Sequence, residues 1–75
     1  MTGTVTKYIS KKGYGFIGGE DGESYFFHIS DTDLDPGKRY VLEDLNVEFS
    51  PHQLIEKNII RNYAKEILFR LDGDD

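Results

Sequence analysis

Apolar and polar residues alternate over short stretches in the first two thirds of the chain. Four stretches are rich in β-branched or aromatic residues or alternate between residue types, in the order GTVTKYI, GYGFIGG, SYFFHI and DLNVEFS. Both features are typical of β-strands. Asp21-Gly22 follows the second stretch and predicts a hairpin, and Pro36-Gly37 predicts a turn in the longer connection after the third. The pattern therefore predicts four short strands.

The segment from residue 51 onward is compatible with two structures. Ile59 and Tyr63 fit helical spacing, whereas Ile67 and Phe69 alternate as in a strand. Short strands without βαβ units favour a small antiparallel barrel, because closure removes exposed strand edges. We therefore predict an all-β, five-stranded antiparallel barrel with a fifth strand near residues 58–63. The rest of the C-terminal segment forms an extra strand or a short helix.

The length of 75 residues predicts one domain, over residues 1–71, and a frayed acidic tail at residues 72–75. The absence of cysteine excludes a disulfide scaffold. No apolar run reaches the roughly 20 residues that a membrane-spanning helix needs, and no secretion signal is visible. We expect a soluble, cytoplasmic and monomeric protein that uses no cofactor.

The charge balance argues against a generic nucleic-acid binder. Fourteen acidic and nine basic residues give a net charge of −5, and phosphate binding is largely electrostatic. However, Lys7, Lys11 and Lys12 surround the aromatic run of the second strand. These lysines form either a local basic patch on an acidic body or ordinary solvated surface charges.

The second predicted strand carries two rings on one side. Since side chains alternate between the faces of a strand, Lys12, Tyr14 and Phe16 point away from Ile17. Ile17 fits the core. A lysine in line with two rings indicates that their face is exposed to water.

The third predicted strand repeats this arrangement. Tyr25, Phe27 and Ile29 share one side and fit the core, so Phe26 and His28 take the other side. Across the hairpin they would join the rings of the second strand in an outer platform, made of Tyr14, Phe16, Phe26 and His28 and edged by Lys12.

Such a platform suits unpaired nucleobases. Stacking on an aromatic ring contributes about 1 to 3 kcal/mol per base, while nearby cations hold the phosphates. Cross-strand aromatic pairs also stabilise sheets without any ligand, so a purely structural role is the alternative.

The run KGYGFI at residues 12–17 and the run YFFHI at residues 25–29 resemble the two RNP-type motifs of the cold-shock domain family. The resemblance covers about two thirds of the chain. It implies a five-stranded oligonucleotide-binding (OB) barrel that binds single-stranded RNA or DNA. It also implies contacts to bases or backbone from Lys12, Tyr14, Phe16, Phe26 and His28.

The first strand departs from the family pattern. Lys7 stands where a tryptophan is usual, and Tyr8 where a phenylalanine is usual. We expect Tyr8 to offer a ring at the margin of the platform and Lys7 to add charge, so that binding is weaker and more salt-sensitive than is typical. The phosphate backbone would be held by several cations, namely Lys7 and Lys12, assisted by Lys11 and by Arg61 or Lys57.

An enzyme is not supported. His28 and His52 lie far apart, with no cysteine and no clustered carboxylates around either, so neither a metal site nor a nucleophile with its base can be assembled. The sequence predicts a single-stranded RNA- or DNA-binding protein of low sequence specificity, acting as a nucleic-acid chaperone, without membrane or small-molecule partners. The alternative is an acidic protein-interaction module of the same fold.

Overall fold

The computed structural model describes residues 1–70 as a closed five-stranded barrel. The strands are β1 (Thr2–Ile9), β2 (Tyr14–Gly19), β3 (Ser24–His28), β4 (Asn46–Glu56) and β5 (Ile59–Phe69), and a 3-10 turn covers Ile29–Asp31. The predicted all-β barrel is confirmed. Residue 71 and the predicted tail at residues 72–75 lie outside the described residues. Residues 1–70 contain no helix that is long and apolar enough to cross a membrane.

The barrel has the strand order β1-β2-β3-β5-β4 and closes between β4 and β1. Four of its five pairings are antiparallel, as predicted. The fifth, between β3 and β5, is parallel and joins Phe26 to Tyr63. A parallel bridge from Thr32 to Ile67 follows it. The C-terminal strand β5 therefore lies between β3 and β4 in the barrel.

Both predicted turns are present. At the first, Gly22 adopts a φ of 84° and donates its N–H to the Gly19 carbonyl at 3.0 Å. Glycine accepts this left-handed conformation without steric cost. At the second, the Lys38 N–H donates to the Asp35 carbonyl at 3.1 Å, which closes a four-residue turn around Pro36-Gly37.

The C-terminal segment forms a long hairpin of β4 and β5, and the helical alternative is wrong for its described part. Pairing runs from Val47 opposite Phe69 to Glu56 opposite Ile59. β5 is thus longer than the strand predicted near residues 58–63. Period-two pairing over this length places alternate residues on opposite faces.

Two residues, Lys57 and Asn58, connect these strands. Their φ angles are 46° and 69°. Positive φ at both central residues is typical of a type I′ turn, whose twist matches that of the flanking strands. Asparagine favours this turn but lysine does not, so the sequence signal for the hairpin is weak.

The core fills the space inside the barrel. The predicted inward residues of β2 and β3 are all buried: Ile17, Tyr25 and Phe27, together with Ile29 of the 3-10 turn. The rest of the buried apolar set comes from the other strands and the long connection: Val5, Tyr8, Leu42, Val47, Phe49, Ala64 and Ile67.

A β-bulge interrupts β1. Val5 pairs with Ile17, but the next pair is Lys7 with Phe16, so Thr6 is an extra residue. A bulge shifts the alternation of side chains by one position. Thr6 and Lys7 are consequently both exposed.

The long connection between β3 and β4 secures the bulge. The Val5 N–H donates to the Leu45 carbonyl at 2.9 Å, and the Asp44 N–H donates to the Val5 carbonyl at 2.8 Å. The Tyr8 N–H donates to the Glu43 carboxylate at 2.9 Å. This bond holds the pKa of Glu43 below its usual value. The bulged backbone thus finds its hydrogen-bond partners in a loop distant in sequence.

Candidate nucleic-acid interface

The outer face of β2 and β3 carries a cluster of aromatic rings. Tyr14 pairs with His28 and Phe16 with Phe26 across the hairpin. The ring centroid of Phe26 lies 5.5 Å from that of Tyr14 and 5.7 Å from that of Phe16. All three rings are partly exposed and lie outside the core. The structure therefore brings these residues together on the predicted face.

A fourth ring, which the sequence analysis did not include in the platform, comes from β5. Tyr63 pairs with Phe26, and their ring centroids lie 5.9 Å apart at an interplanar angle of 89°. Phe26 is thus in contact with three rings. We call the outward cluster of Tyr14, Phe16, Phe26 and Tyr63 the ring face. The sequence signal was the spacing of Arg61 and Tyr63, which share a face only if the segment is a strand.

His28 lies exposed at one end of the ring face. The Ser30 N–H donates to its Nδ1 atom at 3.1 Å, and the Ser30 hydroxyl lies 3.0 Å from the same atom. Since Nδ1 accepts a hydrogen bond, the neutral ring carries its proton on Nε2. The imidazole can therefore offer one donor to a ligand. Among residues 1–70 no group of three or more His, Asp or Glu side chains is placed to hold a metal ion.

The bulge of β1 brings Lys7 to the ring face. Because Lys7 pairs with Phe16, its exposed side chain emerges beside that ring. Lys12 lies exposed in the turn that leads into β2, two residues before Tyr14. It is therefore not in line with Tyr14 and Phe16 on one strand, as the sequence predicted, because β2 begins only at Tyr14 and Gly13 has a φ of 75°. Lys7 is the predicted lysine that strand pairing brings to the rings.

The cations around the rings differ from Lys65 and Arg70, which form ion pairs. Lys65 lies 3.5 Å from Asp31, and Arg70 lies 3.2 Å from Glu48. Within the described part of the chain no carboxylate forms an ion pair with the cations around the rings and on the adjacent hairpin, namely Lys7, Lys11, Lys12, Lys57 and Arg61. Unpaired cations remain available to an anionic ligand.

Arg61 borders a groove beside the rings. The groove has a volume of about 310 Å³ and is lined by Phe16, Phe26, Arg61, Asn62 and Tyr63. Apolar ring surface and a guanidinium thus meet in one depression. This combination can hold a base and its phosphate together.

Tyr8 lies in the core, which corrects the prediction that it stands at the margin of the platform. Its side chain is 8% exposed, and its ring stacks on Phe27 at 5.9 Å with an interplanar angle of 14°. The physical reason is the bulge, which turns Lys7 outward and Tyr8 inward. A Cβ atom at Gly15 would lie 2.9 Å from the Tyr8 Cα atom, so only glycine permits this approach. Burial and, secondarily, Tyr40 raise the pKa of the Tyr8 phenol.

Two larger hollows contain none of these rings. They measure about 500 and 640 Å³, and Glu20 lines both. The Thr2 hydroxyl and N–H donate to the Glu20 carboxylate at 2.6 and 2.8 Å and hold its pKa below the usual value. The ionised Glu20 carboxylate repels phosphate, so these hollows do not suit a nucleic acid.

The family comparison agrees with this geometry. The family model of the 'Cold-shock' DNA-binding domain matches residues 1–66, which include all four rings and the unpaired cations around them. No curated protein matches the chain with significance. The chain belongs to the cold-shock DNA-binding domain family, whose members are nucleic-acid-binding domains.

Proposed function

We propose that this domain binds single-stranded RNA or DNA with little sequence specificity by stacking bases on the ring face. The observation that carries the proposal is the outward cluster of four rings around Phe26, outside a core that already contains its own aromatic residues. Every base has a flat face, so stacking on rings selects unpaired bases without demanding a sequence.

The unpaired cations would hold the phosphate backbone. Lys7 emerges beside Phe16, and Arg61 borders the groove beside Tyr63. Lys11 and Lys12 lie exposed in the turn before β2, and Lys57 in the turn between β4 and β5. Because the chain as a whole carries a charge of −5, this contact depends on a few local cations and should weaken steeply as salt rises.

A duplex suits the ring face less well than a single strand. In a duplex the flat faces of the bases are already stacked on each other, so the rings can reach only unpaired or terminal bases. A protein that binds only the unpaired state shifts the equilibrium toward that state by mass action. The domain would thus melt weak secondary structure without ATP, which is the action of a nucleic-acid chaperone.

The test is a titration of a pyrimidine-rich oligonucleotide and of its duplex at two salt concentrations, followed by tyrosine fluorescence. We expect the single strand to bind more tightly, and Tyr14→Ala, Phe16→Ala and Tyr63→Ala each to weaken binding by about 1 to 3 kcal/mol. The control is Leu68→Ala, an exposed residue on β5 outside the ring face, which should leave affinity unchanged. Circular dichroism checks that each variant is folded.

Unchanged affinity in both Tyr14→Ala and Phe16→Ala would overturn the proposal. Absence of binding at low salt would favour the alternative, an acidic protein-interaction module. The exposed aliphatic residues of the β4–β5 hairpin give that alternative specific support at a second surface. A cytoplasmic location, the absence of a cofactor and the extent of the domain to residue 71 remain predictions.

A further inference from the structure

The hairpin of β4 and β5 continues beyond the pairing that closes the barrel. β5 pairs with β3 at Tyr63, and on the turn side of that residue it pairs only with β4. We call residues 53–62 the arm. All of them are exposed except Asn62, which is partly buried at the base. At about 3.3 Å per residue, the arm is about 15 Å long.

The arm exposes four large aliphatic side chains. Leu54 is 45% exposed, Ile55 68%, Ile59 53% and Ile60 60%. A two-stranded ribbon offers no second layer on which such side chains can pack, and an isolated ribbon is only marginally stable in water. Of the four, Ile55 and Ile60 pair with each other and so form contiguous exposed apolar surface, which typically marks a contact with another macromolecule.

The two faces of the arm differ in chemistry. Ile55 and Ile60 pair directly with each other. By strand alternation they lie on the face that continues from the buried residue Ala64, and their neighbours Gln53 and Asn62 on this face are neutral amides. We call Ile55 and Ile60 the Ile55/Ile60 patch.

The opposite face continues from the ring face. There Leu54 pairs with Arg61, which lies two residues before Tyr63 on β5, and Ile59 pairs with Glu56. A hollow of about 410 Å³ lined by Glu56, Lys57, Ile59 and Arg61 lies on this part of the arm. The charged groups of the arm thus belong to this face and to the turn, whereas the Ile55/Ile60 patch has none.

We propose that the Ile55/Ile60 patch is a dimer contact with a second copy of this chain. Two arms would pack patch to patch about a two-fold axis and run antiparallel, with Ile55 over Ile55 and Ile60 over Ile60 of the other copy. A two-fold contact requires a self-complementary surface, and a cross-strand pair of identical aliphatic residues meets that requirement. The proposal replaces the monomer expected from the sequence.

Charge favours this place and this orientation. Glu56, Lys57 and Arg61 give the arm a charge of +1, so the rest of the chain, with a total of −5, carries −6. Three of these negative charges belong to residues 72–75, so the barrel itself carries −3, and barrel-to-barrel contact would bring two acidic surfaces together. Antiparallel arms keep the barrels at opposite ends, separated by about 15 Å, whereas the Debye length is about 8 Å at physiological ionic strength.

A nucleic acid fits the Ile55/Ile60 patch poorly, because the patch has no cation for a phosphate and no ring for a base. Contact through this patch also leaves the ring face open, since Tyr63 and Arg61 point to the other side of the arm. A dimer would present two ring faces. A strand long enough to reach both would gain affinity through the higher effective concentration of the second site.

The experiment is sedimentation equilibrium of the whole chain over a concentration series. The contact is small, so we expect weak reversible dimerisation between about 10 μM and about 1 mM. The double variant Ile55→Ser/Ile60→Ser should raise the dissociation constant at least about tenfold, since it removes the apolar contact. The matched control Leu54→Ser/Ile59→Ser, on the opposite face of the same strands, should change it less than about twofold. Added salt should strengthen dimerisation by screening the acidic barrels.

Four results would overturn the proposal. One is a wild-type chain that stays monomeric throughout the series. The second is an equal effect of the test and control variants. The third is dissociation of the dimer by salt, because it would reveal an electrostatic contact. The fourth is lost oligonucleotide affinity with unchanged sedimentation in the Ile55→Ser/Ile60→Ser variant, which would make the patch a nucleic-acid contact. The Tyr14→Ala variant should dimerise normally, so failure of the proposed function is visible separately.

Discussion

β3 carries aromatic rings on both of its sides, and the two sides have different surroundings. Inward, Phe27 is completely buried and its ring stacks on Tyr8. Outward, Phe26 is partly exposed, and its ring contacts are with Tyr14, Phe16 and Tyr63. The inward rings are covered by the other side of the barrel, whereas no second layer covers the outward ones. The type of ring therefore does not tell whether a residue stabilises the fold or binds a ligand. What tells is whether another part of the barrel covers the ring.

The hydroxyl group of Tyr25, an inward residue of β3, also has a structural partner. The buried Tyr25 donates its hydroxyl to the Asp21 carboxylate at 2.6 Å, and this bond raises the pKa of Tyr25 to about 12. The same bond, together with the Glu23 N–H, holds the pKa of Asp21 below its usual value. A core tyrosine thus reaches the rim and finds a fixed partner there. Tyr25 therefore stabilises the fold, although its hydroxyl group reaches an exposed partner.

The largest effect should separate the two phenylalanines of β3. Phe27→Ala should cost about 3 to 5 kcal/mol of unfolding free energy, which is enough to unfold a domain of this size. Phe26→Ala removes cross-strand ring contacts at a partly exposed site and should cost about 1 kcal/mol. Urea denaturation measures both changes. Equal destabilisation would show that Phe26 is a core residue and that the ring face is structural.

The next effect concerns the two sides of the bulge. Lys7→Trp places a ring beside Phe16, so affinity for a single strand should rise by about 1 to 3 kcal/mol. Loss of the charge should make the salt slope shallower by about 0.7. The neighbouring change Tyr8→Trp enlarges a buried side chain and should instead destabilise the fold by about 1 to 3 kcal/mol. Oligonucleotide titration and thermal unfolding measure these outcomes, and a gain in affinity from Tyr8→Trp would contradict the assigned faces.

A smaller effect tests the cations at the rim. Lys12→Gln should make the salt slope for single-strand binding shallower by about 0.7, because one phosphate contact is lost. Arg70→Gln is the matched control, since Arg70 pairs with Glu48 beyond the end of β5 and lies outside the ring face. Affinity measured at four salt concentrations gives both slopes. Identical slopes in the two variants would remove Lys12 from the phosphate contacts.

The smallest effect should appear in the acid stability of the β2–β3 hairpin. Because the pKa of Asp21 is lower in the folded chain, its contribution to stability is present above the unfolded pKa of about 3.9 and disappears as pH falls through the folded value. Asp21→Asn should therefore lower the melting temperature at neutral pH and remove part of the loss on acidification. Melting curves from pH 7 to pH 2 test this, and an unchanged pH profile would show that the Tyr25 bond does not contribute.

Sequence reasoning was most successful where structure depends on near neighbours. The β2–β3 hairpin follows from the Asp21-Gly22 turn and from strict alternation on either side of it, so the faces of Phe16 and Phe26 could be assigned correctly. The expectation for Tyr8, which rested on its place in the family pattern, was wrong, and the sequence could not correct it because a bulge leaves no local signal when the extra residue, Thr6, is an ordinary strand former. A single inserted residue moves the side chain of every later residue in the strand to the opposite face.

Local pattern and turn chemistry were sufficient to define an all-β barrel with an aromatic outer face on two adjacent strands, because alternation and hairpin turns involve residues close in the chain. The position of Tyr63 beside Phe26, the inward turn of Tyr8 and the projecting arm depend on how β5 meets β3, how β1 meets β2 and where β4 leaves the barrel. These contacts join residues distant in sequence, and their register is decided by closure of the whole sheet rather than by any one segment.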